Sequence, residues 1–582
     1  MGFFKSFFAS CLGTLVALIV LFVLMIAFAS ALTSESQIVV KDNSVLHLKL
    51  DDPITEQEFE DPISEIYPMA GNQSIGLIQL RQVLSNAKND PKIKGIYLNV
   101  SELVTGFSTV EEIRESLLDF RTSGKWIIAY STSYSEGAYY LASASDKVFL
   151  FPEGQLEFNG LTTEVMFFKK LFDKLQIKPQ VFRVGDFKSA VEPFVREDLS
   201  EENKLQLNSL LNSIYNEMLG RISESRNISK DKLKSIADEM TIRNAKQALK
   251  NKLVDSLFYE DQVKSEMKNR LGLEEKDDIS FVSYARYKKT FSASSASPNE
   301  IAVIVAEGTI TSGEGDQGIV GSETIVKELR KARTNNNVKA IVLRINSPGG
   351  EFQASDEMWR EVTLATEVKP VIASMSDYAA SGGYYLAMAC DTIVAQPNTI
   401  TGSIGIFSIL FDLSSFLGDK IGVTTEEVRT GNFGNMFTVT RPLTEIEKSI
   451  WQKQTNEVYE TFTSKAAAGR NMNQDDIKKI ASGRVWTGSQ AKGNGLADVL
   501  GGFRDAIKIA AQKGEVAEDY KLRYYPAPKS FLERLTGSWE ESAEAYTLKN
   551  QLGEYYVWYK QWLGVKTYQG TQARMPVEFT LR

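Results

Sequence analysis

Residues 7–32 pass without a single charged side chain, an uninterrupted run of 26 positions. That exceeds the ~20 residues needed to cross a bilayer and the ~7–15 of a cleavable leader's apolar core, so the pattern predicts an uncleaved transmembrane helix. Residues 1–6 are then a cytoplasmic stub. Ala29-Ser30-Ala31 resembles a signal-peptidase site, which leaves cleavage as the alternative. Lys5 and the terminal amine are the only positive charges ahead of the run, which favours a cytoplasmic amino end with the bulk of the chain outside. Beyond it, the alternating SVLHLKL and the short apolar runs IKGIYLNV, WIIAYS, IAVIVAEG, KAIVLRI and PVIASM read as strands. They alternate with helical segments such as LSEENKLQLNSLLNSIYNEM, the pattern of an α/β unit with βαβ crossovers.

The same pattern occurs twice. PKIKGIYLNV matches NNVKAIVLRI, and YSEGAYYLASASDKVFLFP matches YAASGGYYLAMACDTIVAQP, both displaced by 245 residues. FRVGDFKSA and VRTGNFGNM follow at 246, and the helical LSEENKLQLNSLLNSIYNEM and LTEIEKSIWQKQTNEVYETF at 244. A near-constant offset over this length predicts a duplication, with one domain at residues 44–297 and a second at 298–527, joined through the small-residue stretch FSASSASPNE. Residues 528–582 have no counterpart in the first copy. Their aromatic, helically periodic segment suits an oligomer contact, a membrane-surface contact or packing against the second domain.

Composition narrows the chemistry. With 66 Lys and Arg against 74 Asp and Glu the net charge is −8, which offers no basic surface to nucleic acid. The one histidine, His47, sits inside an alternating strand, and the two cysteines, Cys11 and Cys390, lie in apolar stretches. A histidine-based triad, a disulfide framework and a Cys/His zinc site are therefore not expected, nor is any metal or cofactor. Catalysis, if present, falls to Ser, Thr, Lys, Tyr or carboxylates.

The two copies diverge at the residues that carry chemistry. Ser381 stands at a strand-to-helix turn in AASGGYYLAMA, where the following amides and the helix dipole would face a developing oxyanion; the first copy has Glu136 there. A serine just before a helix is ordinarily a cap. Strand KAIVLRI runs into Asn346-Ser347-Pro348-Gly349-Gly350, a glycine pair that can turn its amides into a concavity or can simply make a turn; the first copy lacks it. Lys188, in GDFKSAVEPF, is matched in the second copy by Gly434. A lone lysine is ordinarily solvated, but burial would draw its pKa towards neutrality, as a general base requires. One copy keeps the serine and the glycines, the other the lysine. That division predicts one composite Ser/Lys site between the two domains.

At these residues the chain resembles the signal peptide peptidases of the SppA (protease IV) type, in their long bacterial form with two tandem domains. YAASGGYY, GDFKSAVEPF, NSPGG and TGSIGIF carry the resemblance, which extends from the anchor to about residue 527. It implies tandem Clp-protease/crotonase-like α/β domains and a serine endopeptidase that degrades cleaved signal peptides and other apolar peptides. It also implies single-pass attachment to the bacterial inner membrane with the catalytic domains on the periplasmic side, and a homotetrameric bowl. Carried over residue by residue, Ser381 is the nucleophile, Lys188 the general base, Ser403 the residue that orients the lysine, and Gly350 and Gly382 the oxyanion donors. Phe158 occupies the first copy's position equivalent to Ser403. The competing readings are an acyl-thioester enzyme of the crotonase type, which needs no Ser/Lys pair, and a membrane-tethered scaffold with a vestigial site.

Overall fold

The computed structural model describes residues 38–58, 74–291, 297–526 and 570–575, together with residues 2, 6, 7, 10 and 12–21. Within the uncharged amino-terminal run, residues 12–21 are helical and exposed, and residues 22–32 lie outside the described residues. Among the described residues no helix is long and apolar enough to cross a membrane.

The first half carries β1 (Ser44–Lys49), β2 (Ile93–Asn99), α1 (Phe107–Arg121), β3 (Trp126–Tyr134), α2 (Glu136–Ala142), β4 (Lys147–Leu156), β5 (Lys178–Val184) and α3 (Glu201–Arg226). Strands β4-β3-β2-β1 lie side by side and parallel. The second half repeats the arrangement with β6 (Glu300–Glu307), β7 (Val338–Ser347), β8 (Gly349–Glu351), α4 (Phe352–Thr366), β9 (Val371–Ala380), α5 (Gly382–Ala387) and β10 (Ile406–Asp412). Here Thr392–Ala395 pairs with β9, β9 with β7 and β7 with β6, again all parallel.

The apolar runs form these strands because both sheet faces are covered. Ala302, Ile304, Ile341 and Leu343 pack with Met358 and Val362 of α4. Their neighbours Ile301, Val303 and Val342 pack on the opposite face with Phe503, Ile507 and Ala510. The duplication extends to individual hydrogen bonds. Asp146 accepts the Ile127 N–H and Asp391 the Val371 N–H, both at 2.8 Å, while the Tyr139 and Tyr384 hydroxyls donate to the carbonyls of Leu253 and Leu496.

The two halves interlock. Strand β5 pairs antiparallel with β10 of the second half, from Val184 opposite Ile406 to Lys178 opposite Asp412. The last described strand, β11 (Gly570–Arg574), inserts between β8 and β10, antiparallel to both. Elsewhere on the interface, the fully buried Arg344 of β7 donates to Glu56 at 2.8 and 3.0 Å and to Glu112 of the first half at 2.8 Å. Asp377 accepts from the Thr109 N–H at 2.9 Å and hydroxyl at 2.6 Å, and burial pushes its carboxyl up to about 6.

Candidate active site

Strand β9 ends in Ala379-Ala380 and delivers Ser381 to the start of α5. The serine backbone has φ 56° and ψ −110°, a conformation that costs a non-glycine residue roughly 1–3 kcal/mol and recurs at functional sites. It is held there by its N–H, which donates to the Gly402 carbonyl at 2.8 Å, and by its own carbonyl, which accepts from the Tyr385 N–H at 2.8 Å. The capping reading fails here, because the Ser381 side chain caps nothing. In the first copy the preceding residue, Ser135, takes that role in ordinary extended conformation and accepts the Ala138 N–H. Freed from capping, the Ser381 hydroxyl points to a different partner.

That partner is Lys188. Strand β5 crosses into the second half and releases the chain into the turn that holds it, so the first domain carries the lysine to the second domain's serine. Nζ of Lys188 lies 2.8 Å from Ser381 Oγ, 3.0 Å from the Ser403 carbonyl oxygen and 3.1 Å from Ser403 Oγ. Lys188, Ser381 and Ser403 are all fully buried. Burial pulls the lysine pKa well below its ordinary value, and among the described residues no acidic group contributes. The surroundings suit a neutral amine, which has two N–H donors and one lone pair. The two Ser403 oxygens accept the donors, and the Ser381 hydroxyl can donate to the lone pair.

Residues that sequence reasoning passed over fix the lysine. Gly483, at φ 80°, lies directly beneath it: a Cβ there would stand 2.6 Å from both Lys188 Cβ and N. The Phe187 N–H donates to the Ser482 carbonyl at 3.0 Å. Gln206 of α3 donates to the Phe187 carbonyl at 3.1 Å and to Ser189 Oγ at 2.8 Å, while its amide oxygen accepts the Val485 N–H at 3.3 Å. The Arg484 guanidinium lies over both Phe187 and Trp486, with 5.1 and 4.1 Å to the ring centroids. No pattern within one copy marks them, because each is also fixed by a contact with the other copy: Gly483 and Arg484 with Lys188 and Phe187, Gln206 with Val485.

The glycine pair meets the Ser381 turn. Gly349, at φ 97°, adopts a conformation other residues resist, and a Cβ there would lie 2.8 Å from Gly382 N. A Cβ on Gly382 would in turn stand 3.2 Å from Gly349 Cα. The structure thus brings Ser381, Lys188, Ser403, Gly350 and Gly382 into one region. An open cleft of about 630 Å³ adjoins it, lined by Glu351, Phe352, Gln454, Val458, Thr571 and Gln572.

The corresponding place in the first copy is filled differently. Glu136 accepts the N–H groups of Asn159 and Gly160 at 3.0 and 2.8 Å, and burial pushes its carboxyl up to about 7. Phe158 packs edge-on against Tyr139. Gly434, the counterpart of Lys188, lies in an exposed loop. His47 is a half-buried strand residue, 2.6 Å from Asn99 and stacked on Tyr97. Cys390 is buried and free, and Cys11 lies outside the described residues.

The model of peptidase family S49 matches twice, at residues 119–274 and 363–517. The chain belongs to that family and is a serine peptidase. It is 38% identical to "Serine protease SPPA, chloroplastic" of Arabidopsis thaliana over 78% of this chain and 68% of the relative. "Protease 4" of Haemophilus influenzae is 34% identical over 87% of this chain and 85% of its own, and "Protease 4" of Salmonella typhi is 36% identical over 81% and 77%.

Proposed function

We propose that the protein is a membrane-anchored endopeptidase in which Ser381 of the second domain is the nucleophile and Lys188 of the first is the general base. The observation that carries this reading is a fully buried lysine, with no acidic partner among the described residues, 2.8 Å from a strained serine. Neutral Lys188 takes the Ser381 proton as Oγ attacks a peptide carbonyl. The N–H groups of Gly350 and Gly382 receive the oxyanion, and the lysinium passes its proton to the leaving nitrogen. Water activated by the same lysine then hydrolyses the ester. Ser403 holds Nζ in line through two oxygens and is a positioning residue.

The substrate class is cleaved signal peptides and other apolar peptides, by similarity to the SppA-type peptidases. The uncharged run at residues 7–32 supports membrane attachment; placement in the bacterial inner membrane, with the catalytic domains on the periplasmic side as a homotetramer, follows by similarity to the SppA-type peptidases. The test is hydrolysis of an apolar leader-like peptide by the full chain in detergent, comparing wild type with Ser381→Ala and Lys188→Ala, with thermal unfolding to confirm folding. Both variants should lose at least about 1,000-fold in kcat/KM. Wild-type turnover in folded Lys188→Ala would overturn the mechanism.

A further inference from the structure

We propose that Asn346 and Glu307 are positioning residues for Ser381: the Asn346 side chain, oriented by Glu307, bridges a gap in the pairing of β7 with β9 and so fixes the strand end that delivers the nucleophile. The proposal rests on the Ser381/Lys188 reading above and adds to it the means by which the serine is aimed.

The gap lies in the register. Strands β7 and β9 pair residue for residue from Ile341 opposite Val371 to Ile345 opposite Met375, and then resume at Ser347 opposite Ala379. One residue, Asn346, therefore faces Ser376, Asp377 and Tyr378, so β9 bulges away from its partner at this point. The other edge of β9 changes at the same place. Residues Ile372–Met375 pair with Thr392–Ala395, whereas Tyr378–Ala380 pair with Ile400–Gly402. The segment that leads into Ser381 is thus set off from the rest of the strand by a break on both edges. Across the break on the β7 side, Asn346 Oδ1 accepts the Tyr378 N–H at 3.2 Å and stands in for the missing ladder acceptor.

That bond ties the nucleophile's strand to the oxyanion turn. Asn346 opens the sequence Ser347-Pro348-Gly349-Gly350, which carries one of the proposed oxyanion donors, and Tyr378 leads through Ala379-Ala380 to Ser381. The far edge of the same segment is held by the Thr401 hydroxyl, which donates to the Ala379 carbonyl at 2.7 Å. The first copy, which has Glu136 in place of the nucleophile, has Ser101 in place of Asn346, with its hydroxyl 2.7 Å from that of Ser131. The longer amide occurs only in the copy that has a serine to aim.

Glu307 orients the asparagine. The two residues are neighbours across β6 and β7, and Glu307 Oε1 receives the Asn346 amide at 3.5 Å and the Glu56 N–H at 3.0 Å. An acceptor on that side draws the Asn346 NH2 group towards Glu307 and leaves Oδ1 facing Tyr378. The charged groups around Glu307 are Glu56, Arg344 of β7 and Asp377 of β9, with Glu112 and Arg81 beyond them. Arg344 is committed to Glu56 and Glu112, and Arg81 to Glu112, so Glu307 has no cation of its own among the described residues. This crowding suits the neutral acid: burial first, and then the Glu56 carboxylate, push the Glu307 carboxyl up from its ordinary range. Loss of its proton sets a further negative charge beside Glu56 and Asp377 and loosens the packing that holds Asn346.

The experiment measures kcat and KM for an apolar peptide with the full chain in detergent, from neutral to alkaline pH, with thermal unfolding to confirm folding. Asn346→Ala and Glu307→Ala should each lose on the order of 10–100-fold in kcat, the cost of a misaimed reacting group, with KM within about twofold of wild type. Glu307→Gln keeps a neutral acceptor, so it should retain kcat within about threefold at neutral pH and lack the alkaline fall in kcat that wild type shows as Glu307 ionises. If Asn346→Ala does not fold, Asn346→Ser takes its place, because the first copy carries a serine at the equivalent position. Wild-type kcat in the folded Asn346 variant, or a loss carried by KM alone, overturns the positioning of Ser381. An alkaline fall that persists unchanged in Glu307→Gln, or a Glu307→Gln as impaired as Glu307→Ala, overturns the part assigned to Glu307. Each of these results leaves the peptidase reading standing. Wild-type turnover in folded Ser381→Ala overturns that reading and the proposal with it.

Discussion

Gly483→Ala probes how tightly the lysine is held. A Cβ at this position would stand 2.6 Å from Lys188 Cβ and backbone N and 2.7 Å from its Cα. Carbon atoms settle at ~3.5–4.0 Å, so the lysine segment must give way by about 1 Å. A displacement of that size at a reacting group costs on the order of 100-fold in rate. Overpacking adds about 1–3 kcal/mol of destabilisation, on top of about 1–2 kcal/mol for alanine in the left-handed backbone at φ 80°. Gly124→Ala separates the two effects, because Gly124 has φ 81° but open space around its Cβ position. It should show the backbone cost alone and keep wild-type turnover. The assay is kcat/KM on an apolar peptide together with denaturant unfolding of both variants. If Gly483→Ala stays within about threefold of wild-type activity and melts like Gly124→Ala, the contact beneath Lys188 does not position the base.

Two further outcomes follow from buried charge. Arg344→Ala leaves the buried carboxylate of Glu56 without the guanidinium that binds it and Glu112 with Arg81 alone, and should cost about 3–5 kcal/mol in denaturant unfolding. A loss under about 1 kcal/mol would refute the role of this interface in joining the halves. Lys188→Met should abolish turnover while raising stability at neutral pH. Burial holds the folded-state pKa of Lys188 well below that of the unfolded chain, so unfolding takes up a proton. The lysine therefore weakens the fold below the unfolded value near ~10.4, and its cost fades as pH rises from the folded pKa towards that value. The stability gain in Lys188→Met should shrink over the same window, and an outright loss at neutral pH would refute the burial argument.

The core of the site was legible because the duplication supplied its own comparison. Ser381 and the Gly349-Gly350 pair survive in one copy and Lys188 in the other, and no single motif would have linked positions 188 and 381. What stayed hidden depends on contacts between the copies. Gly483, Gln206 and Arg484 act only because β5 crosses into the second half, and no local pattern announces such a crossing. Arg344 did leave a trace, an arginine inside the apolar strand KAIVLRI, which signals a buried ionic partner. Strand β11 left none: GTQAR is short and polar, and it is ordered by backbone pairing, which side-chain periodicity does not encode. The Ser381 cap reading failed for a related reason, since its positive φ is imposed by hydrogen bonds to Gly402 and Tyr385.

The central claim is that a serine from one domain is activated by a lysine from the other, and covalent capture of the acyl-enzyme tests it most directly. The full chain is mixed with an activated ester of an apolar acyl-alanine, quenched in acid within the first turnover and mapped by peptide mass spectrometry. The account predicts the acyl group on Ser381 in wild type, with acylation slowed by at least about 1,000-fold in folded Lys188→Ala. Acylation of another residue, or wild-type acylation of Ser381 without Lys188, would contradict it.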